Sequence, residues 1–328
     1  MRRRLAASRL GLLAAVPTAL LLATHCASAA QVSAAEMARP EGQRSYLIAT
    51  PEHAAAGLRP LVILLHGHGG SGKQVFGQER IHSPMRVWLD IAEREQLVVI
   101  APDGLRGKDN LPGWNDCRSD STTNPHADDA GFIAALIERA VAQHHADPAR
   151  VYVMGMSNGG GMVYRLASEI PGKLAAFAAV AAPSAVASLC PAPSHPLPAL
   201  IVHGTDDKIV PFNGGDVGGA FLRGRGKTGS APDAVALWRK LDQLNGAPVE
   251  TTFPQRGDSG TTATRTLWGA DPRQLQVEFI RVEHGGHTEP SLQQPLQWAV
   301  RALLGRQNDD FEMAEEAWSF FRDKRASP

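Results

Sequence analysis

The sequence comprises 328 residues with 33 basic and 33 acidic side chains, 43% hydrophobic residues and three cysteines. No basic stripe marks a nucleic-acid partner, and the length suits one large α/β domain or two small ones.

Residues 1–30 read as a secretory signal. Arg2, Arg3, Arg4 and Arg9 form a basic start, Leu10–Ala23 is an apolar run broken by Pro17, and Ala27-Ser28-Ala29 supplies a small-residue cleavage pattern. The apolar run is too short for a bilayer span, which takes about 20 residues, so no integral membrane association is expected. Lipid anchoring through Cys26 is the alternative, although Thr24-His25 fits poorly the small residues that lipidation prefers. Cleavage removes the four arginines and leaves 29 basic against 33 acidic residues, a net of −4. The product is then secreted or periplasmic. Cys117 and Cys190 remain, and export together with an even count favours a disulfide between them over two separate buried thiols.

Gln31–Gln43 is Ala-rich and polar, so residues 31–44 are read as a flexible N-terminal segment and residues 45–328 as one domain. Ser45–Ala49 reads as a strand, and Pro60–Gly67 as an unalternating apolar strand covered on both faces. A helix is predicted over 84–96, a strand over 97–102, a long loop over 106–126 and a helix over 128–145. Further strands follow at 174–182 and 198–203, then a Gly-rich loop over 208–231 and a helix over 232–244 opening on Pro232. Short strands are predicted within 251–268, a last strand over 276–282, and two closing helices near 292–304 and 312–322. Alternating strands and helices indicate a mostly parallel, doubly wound α/β sheet with helices on both faces. Ligands in such sheets sit outside the carboxyl ends of the strands.

Within this pattern Val151–Gly161 stands out. A β-branched, apolar run ends in Gly155-Met156-Ser157-Asn158-Gly159, and a helical stretch follows from Met162 to Glu169. Strand, Gly-x-Ser-x-Gly and helix together form the context of a nucleophile elbow, whose turn lifts a serine hydroxyl clear of its neighbours. Serine is a weak nucleophile until a base takes its proton and a third group orients that base. The order along such folds is Ser, acid, His. The acid is expected past a later strand, where Asp206 and Asp207 compete; Asp207 is preferred, since Asp206 suits a turn. The base is expected after the last strand, where His287 is preferred to His284 and neighbouring glycines give it room to swing. An oxyanion needs positioned N–H donors. Those of Asn158 and of His68, in His66-Gly67-His68-Gly69-Gly70, are the expected pair, with Gly69 the fallback. His66 and His68 lack a nearby carboxylate or Cys set, so no metal is expected.

Four motifs together resemble one family: Leu64–Gly70, the elbow with Asn158, His203-Gly204-Thr205-Asp206-Asp207-Lys208-Ile209-Val210-Pro211, and Gly285-Gly286-His287-Thr288. The chain is similar, from about Ser45 to Phe321, to secreted esterases grouped with polyhydroxybutyrate depolymerases and feruloyl or acetyl-xylan esterases. The resemblance implies an α/β-hydrolase fold, an acid at Asp207, a base at His287 and no cofactor. Relatives often carry Trp-Pro after Gly-Gly-His-Thr, where this chain has Glu289-Pro290, and the stretch from Leu292 to Asp309 is longer than the family norm.

The expected activity is that of a secreted serine esterase working through Ser157, His287 and Asp207. Its substrate would be a polyester like polyhydroxybutyrate or a feruloyl or acetyl polysaccharide ester. The alternatives are an acyltransferase or peptidase with the same triad, or a non-catalytic binding protein. Trp114 and Phe212 are candidate substrate contacts, with a core anchor as the competing role for Trp114. Arg223, Arg225 and Lys227 belong to a candidate rim loop.

Overall fold

The computed structural model describes residues 30–219 and 222–326. The predicted signal segment through residue 29, with Cys26, lies outside the described residues. Ten strands make one sheet: β1 (Gln31–Arg39), β2 (Gly42–Thr50), β3 (Arg59–Leu65), β4 (Val98–Pro102), β5 (Ala146–Met156), β6 (Ala176–Val180), β7 (Ala199–Gly204), β8 (Val249–Thr252), β9 (Thr262–Trp268) and β10 (Val277–Glu283). Their spatial order is β1-β2-β4-β3-β5-β6-β7-β10-β9-β8. The central run β4-β3-β5-β6-β7-β10 is parallel. Antiparallel pairs extend it at both edges. The doubly wound expectation holds.

Both faces are buried, which explains the unalternating apolar strands. In β3, Leu61, Ile63 and Leu65 face one core and Val62 and Leu64 the other. The first core packs helices α3 (Asp129–His144), α4 (Asn158–Glu169) and α5 (Ala231–Leu241). The second packs α2 (Trp88–Glu95) and α7 (Met313–Phe321), numbered after the one-turn α1 (Gly72–Val75). Tyr152 of β5 stacks on Phe321 at 4.9 Å, and its hydroxyl donates to the Lys324 carbonyl at 2.9 Å, tying the C-terminal segment to the sheet.

The N-terminal segment differs from expectation. Residues 31–39 are not loose: they pair with β2 along nine residues, and Pro40-Glu41 makes the two-residue turn before Gly42 at φ 120°. Inward-facing Met37, with partly buried Ala35 and Val32, supplies the packing that the polar composition obscured. The Cys117–Cys190 disulfide is present, with a Cα–Cα distance of 5.6 Å. It joins the loop after β4 to the loop after β6. The segment from 292 to 304 contains only a short helix, α6 (Trp298–Leu304).

Candidate active site

The elbow is built by close approach of backbone to backbone. A Cβ on Gly155 would meet the Gly159 carbonyl, and one on Gly159 would meet the carbonyls of Leu65 and His66. Only glycine lets α4 start so near the ends of β3 and β5. Between them Ser157 takes φ 55° and ψ −127°, a conformation that costs a non-glycine residue on the order of 1–3 kcal/mol. Its N–H donates to the Val180 carbonyl at 2.9 Å, which holds the turn against β6.

The expected acid lies just past β7. Asp207 is buried; its Oδ1 accepts the N–H groups of Ile209 and Val210, both at 2.8 Å, and its Oδ2 meets His287 Nδ1 at 2.8 Å. His203 Nε2 stands 3.5 Å from the same Oδ2. Burial alone would raise the pKa of this carboxyl, but the attraction of His287 and the bonds from His203 and His287 outweigh it. The group is held well below the usual carboxylate range. The two competitors face solvent together: Asp206 and His284 are exposed, 3.5 Å apart.

His287 is buried, and its N–H donates to the Leu304 carbonyl at 2.6 Å. The preceding glycines do not provide slack. A Cβ on Gly286 would strike the Leu304 carbonyl, and one on Gly204 would strike Gly285, so these glycines permit tight packing around the histidine. Ser157 and His287 line one cavity of about 250 Å³. No hydrogen bond joins them among the described contacts, and such bonds commonly tighten only when substrate is bound.

The loop after β3 closes over the serine: a Cβ on Gly67 would lie 3.4 Å from Ser157 Cβ. His66 fixes this loop, with Nδ1 against the Gly67 carbonyl at 2.7 Å and Nε2 accepting the Gly104 N–H at 3.0 Å. Burial lowers its pKa, which suits a neutral ring donating through one nitrogen and accepting through the other. His68 Nε2 meets Asp109 Oδ2 at 2.8 Å. Gly69 N–H is committed to the Pro112 carbonyl at 2.7 Å. No described hydrogen bond occupies the N–H of His68 or of Asn158, and the latter opens α4, where N–H groups lack intrahelical partners.

Two expected substrate contacts are corrected. Trp114 is fully buried, donates Nε1–H to the His66 carbonyl at 2.9 Å and packs on the His66 ring at 4.9 Å. It is a core anchor that offers the cavity no face. Phe212 packs edge-on against His203 at 5.9 Å and near Phe279 at 6.2 Å, behind the acid rather than on the cavity wall. In the rim loop, Arg225 pairs with Asp109 at 3.2 Å.

Sequence reasoning missed three features. The Asn158 side chain clamps the Trp114 loop, accepting the Trp114 N–H at 2.7 Å and donating to the Trp114 carbonyl and to buried Asp116. Leu296, Val300 and Leu304 wall the cavity; Val300 and Leu304 share a face of α6 at a spacing of four, while Leu296 lies in the chain before it. Glu289 also lines it, and the departure from the common Trp was its only signal.

Comparison with known proteins agrees with this architecture. Residues 44–188 match the family model described as Esterase PHB depolymerase. The esterase candidate NocK of Nocardia uniformis subsp. tsuyamanensis is 31% identical over 257 residues, covering 76% of this chain and 71% of NocK. Feruloyl esterase C of Emericella nidulans is 29% identical, covering 74% and 76% respectively. The solved acetyl xylan esterase from Aspergillus awamori superposes with a TM-score of 0.53 at 17% identity, over 77% of this chain and 94% of that one, which shows the shared fold. With the α/β-hydrolase sheet in place, the chain belongs to the esterase family of the polyhydroxybutyrate depolymerases and is a carboxylic ester hydrolase.

Proposed function

We propose that the protein is an exported serine esterase in which one catalytic domain begins at β1 and includes its pairing with β2. Ser157 Oγ attacks the ester carbonyl while His287 takes its proton, and Asp207 holds the imidazole and stabilises its charged form. The N–H groups of His68 and Asn158 receive the oxyanion. Collapse breaks the carbonyl–alkoxy bond, and His287 returns the proton to the leaving alcohol. Water, deprotonated by His287, then releases the acyl group and restores Ser157.

The observation that carries this reading is the 2.8 Å Asp207–His287 bond, which meets a cavity shared with a serine on a strained strand-to-helix turn. The names of the relatives favour feruloyl or acetylated polysaccharide esters, and the family model a hydroxyalkanoate polyester. Export is supported by the basic and apolar start of the chain and by the disulfide, a bond of oxidising compartments. No helix among the described residues is long and apolar enough to cross a membrane. The test is hydrolysis of p-nitrophenyl acetate by wild type and Ser157→Ala. Turnover is expected to vanish in the variant while its circular dichroism is retained; wild-type turnover by the variant would overturn the assignment.

A further inference from the structure

The proposed chemistry leaves Glu289 without a task, although it lines the same cavity as Ser157 and His287. The residue is 1% exposed. Its Oε2 accepts a bond from Ser83 Oγ at 3.4 Å, while Oε1 is buried with no hydrogen-bond partner. An unpartnered buried polar atom is a standing penalty, and in a native structure it calls for an explanation. Met85, Leu296 and Val300 are apolar parts of the same wall, Gln74 and His82 are polar parts of it, and no lysine or arginine is among the described lining residues. Burial, reinforced by repulsion from Glu312, raises the Glu289 pKa well above the ordinary carboxyl range. Burial thus favours the neutral acid over the carboxylate, although the bonds from Ser83 and the Met85 backbone oppose it, and the neutral form donates through O–H and accepts at its carbonyl oxygen.

We propose that Glu289 is a specificity-determining residue whose free Oε1 hydrogen-bonds a hydroxyl carried by the acyl group of the substrate. A hydroxyl both donates and accepts, as the neutral acid does, whereas a cationic group would require an ionised carboxylate at a buried position, which burial disfavours. The acyl part is favoured over the alcohol because it stays on Ser157 between the two half-reactions and so is the part the cavity must hold. The inference rests on the triad reading above. Two kinds of ester share this chemistry, aliphatic hydroxyacyl esters and phenolic hydroxycinnamoyl esters.

Two matched pairs distinguish them: p-nitrophenyl 3-hydroxybutyrate against p-nitrophenyl butyrate, and methyl 4-hydroxycinnamate against methyl cinnamate. Wild type is expected to favour the hydroxylated member of one pair by at least about ten-fold in kcat/KM, and the pair that responds identifies the source. Glu289→Leu is expected to bring that ratio near one, while Glu289→Gln, which keeps a donor and an acceptor, retains part of it. Each ratio is taken within one preparation, so partial misfolding cancels. No preference by wild type in either pair, or an unchanged ratio in Glu289→Leu, would overturn the proposal while leaving the triad intact. Failure of wild type to cleave any of the four esters would contradict the esterase reading first and this inference with it.

Discussion

Asp207 illustrates how one side chain is specified by its surroundings. Two backbone N–H groups fix one oxygen and the His287 ring engages the other, so the carboxylate is both ionised and aimed. Asp207→Asn keeps the shape but favours the wrong imidazole tautomer, and kcat is expected to fall roughly 10³- to 10⁴-fold. The depressed pKa also has a stability consequence. A carboxyl held below its unfolded value stabilises the fold above that value, and the contribution is lost as pH falls through the folded one. Asp207→Asn is therefore expected to melt below wild type at pH 7, with the gap narrowing as pH drops beneath about 4. Thermal melts at several pH values check this, and a gap independent of pH would contradict it. The preference for Asp207 over Asp206 rested on Asp206 suiting a turn and on the resemblance, and that for His287 over His284 on His284 belonging to a strand end. Trp114 and Glu289 were not legible, because an aromatic in a loop and an acid after a motif look alike whether buried or exposed.

At the scale of elements, hydrophobic period identified nearly every central strand and helix, since strands buried on both faces and amphipathic helices leave strong patterns. The elbow was legible because Gly155 and Gly159 are demanded by backbone contact. Edges were harder. β1 relies on a Pro40-Glu41 turn and a few inward residues, and its polar composition resembles a tail. The predicted helix over 292–304 shrinks to seven residues, Trp298–Leu304, which start after Pro295; proline disfavours the helical conformation in the residue before it. The disulfide is an element-level device as well. Around it, Leu189 N–H donates to the Cys117 carbonyl and Ser119 N–H to the Ala187 carbonyl, each in a loop bordering the Asn158 clamp. Replacing both cysteines by serine releases a connection across 73 residues. The loss of stability is expected to be about 2–5 kcal/mol, read as a lower urea midpoint. An unchanged midpoint would show that backbone contacts alone hold the two loops.

For the whole molecule, the parallel centre of the sheet brings Ser157 and His287, separated by 130 positions (287 − 157), to one side, because strands β3, β5, β7 and β10 all end there. Loops from these ends supply Gly67 and His68, Ser157 and Asn158, Asp207 and His287. Strand ends far apart in sequence converge on one cavity, so the order of motifs could be read from the chain but the shape of the cavity could not. Part of its apolar wall comes from the segment after His287, whose course depends on packing of Leu304 and Gly305 against Gly286. The account stands most directly on Ser157 being an activated nucleophile. Labelling the intact protein with a fluorophosphonate probe and mapping the adduct by mass spectrometry measures this in one step. A single adduct on Ser157, strongly slowed in Asp207→Asn, is the predicted result; a folded protein that takes no adduct at Ser157, or takes it elsewhere, would contradict the account.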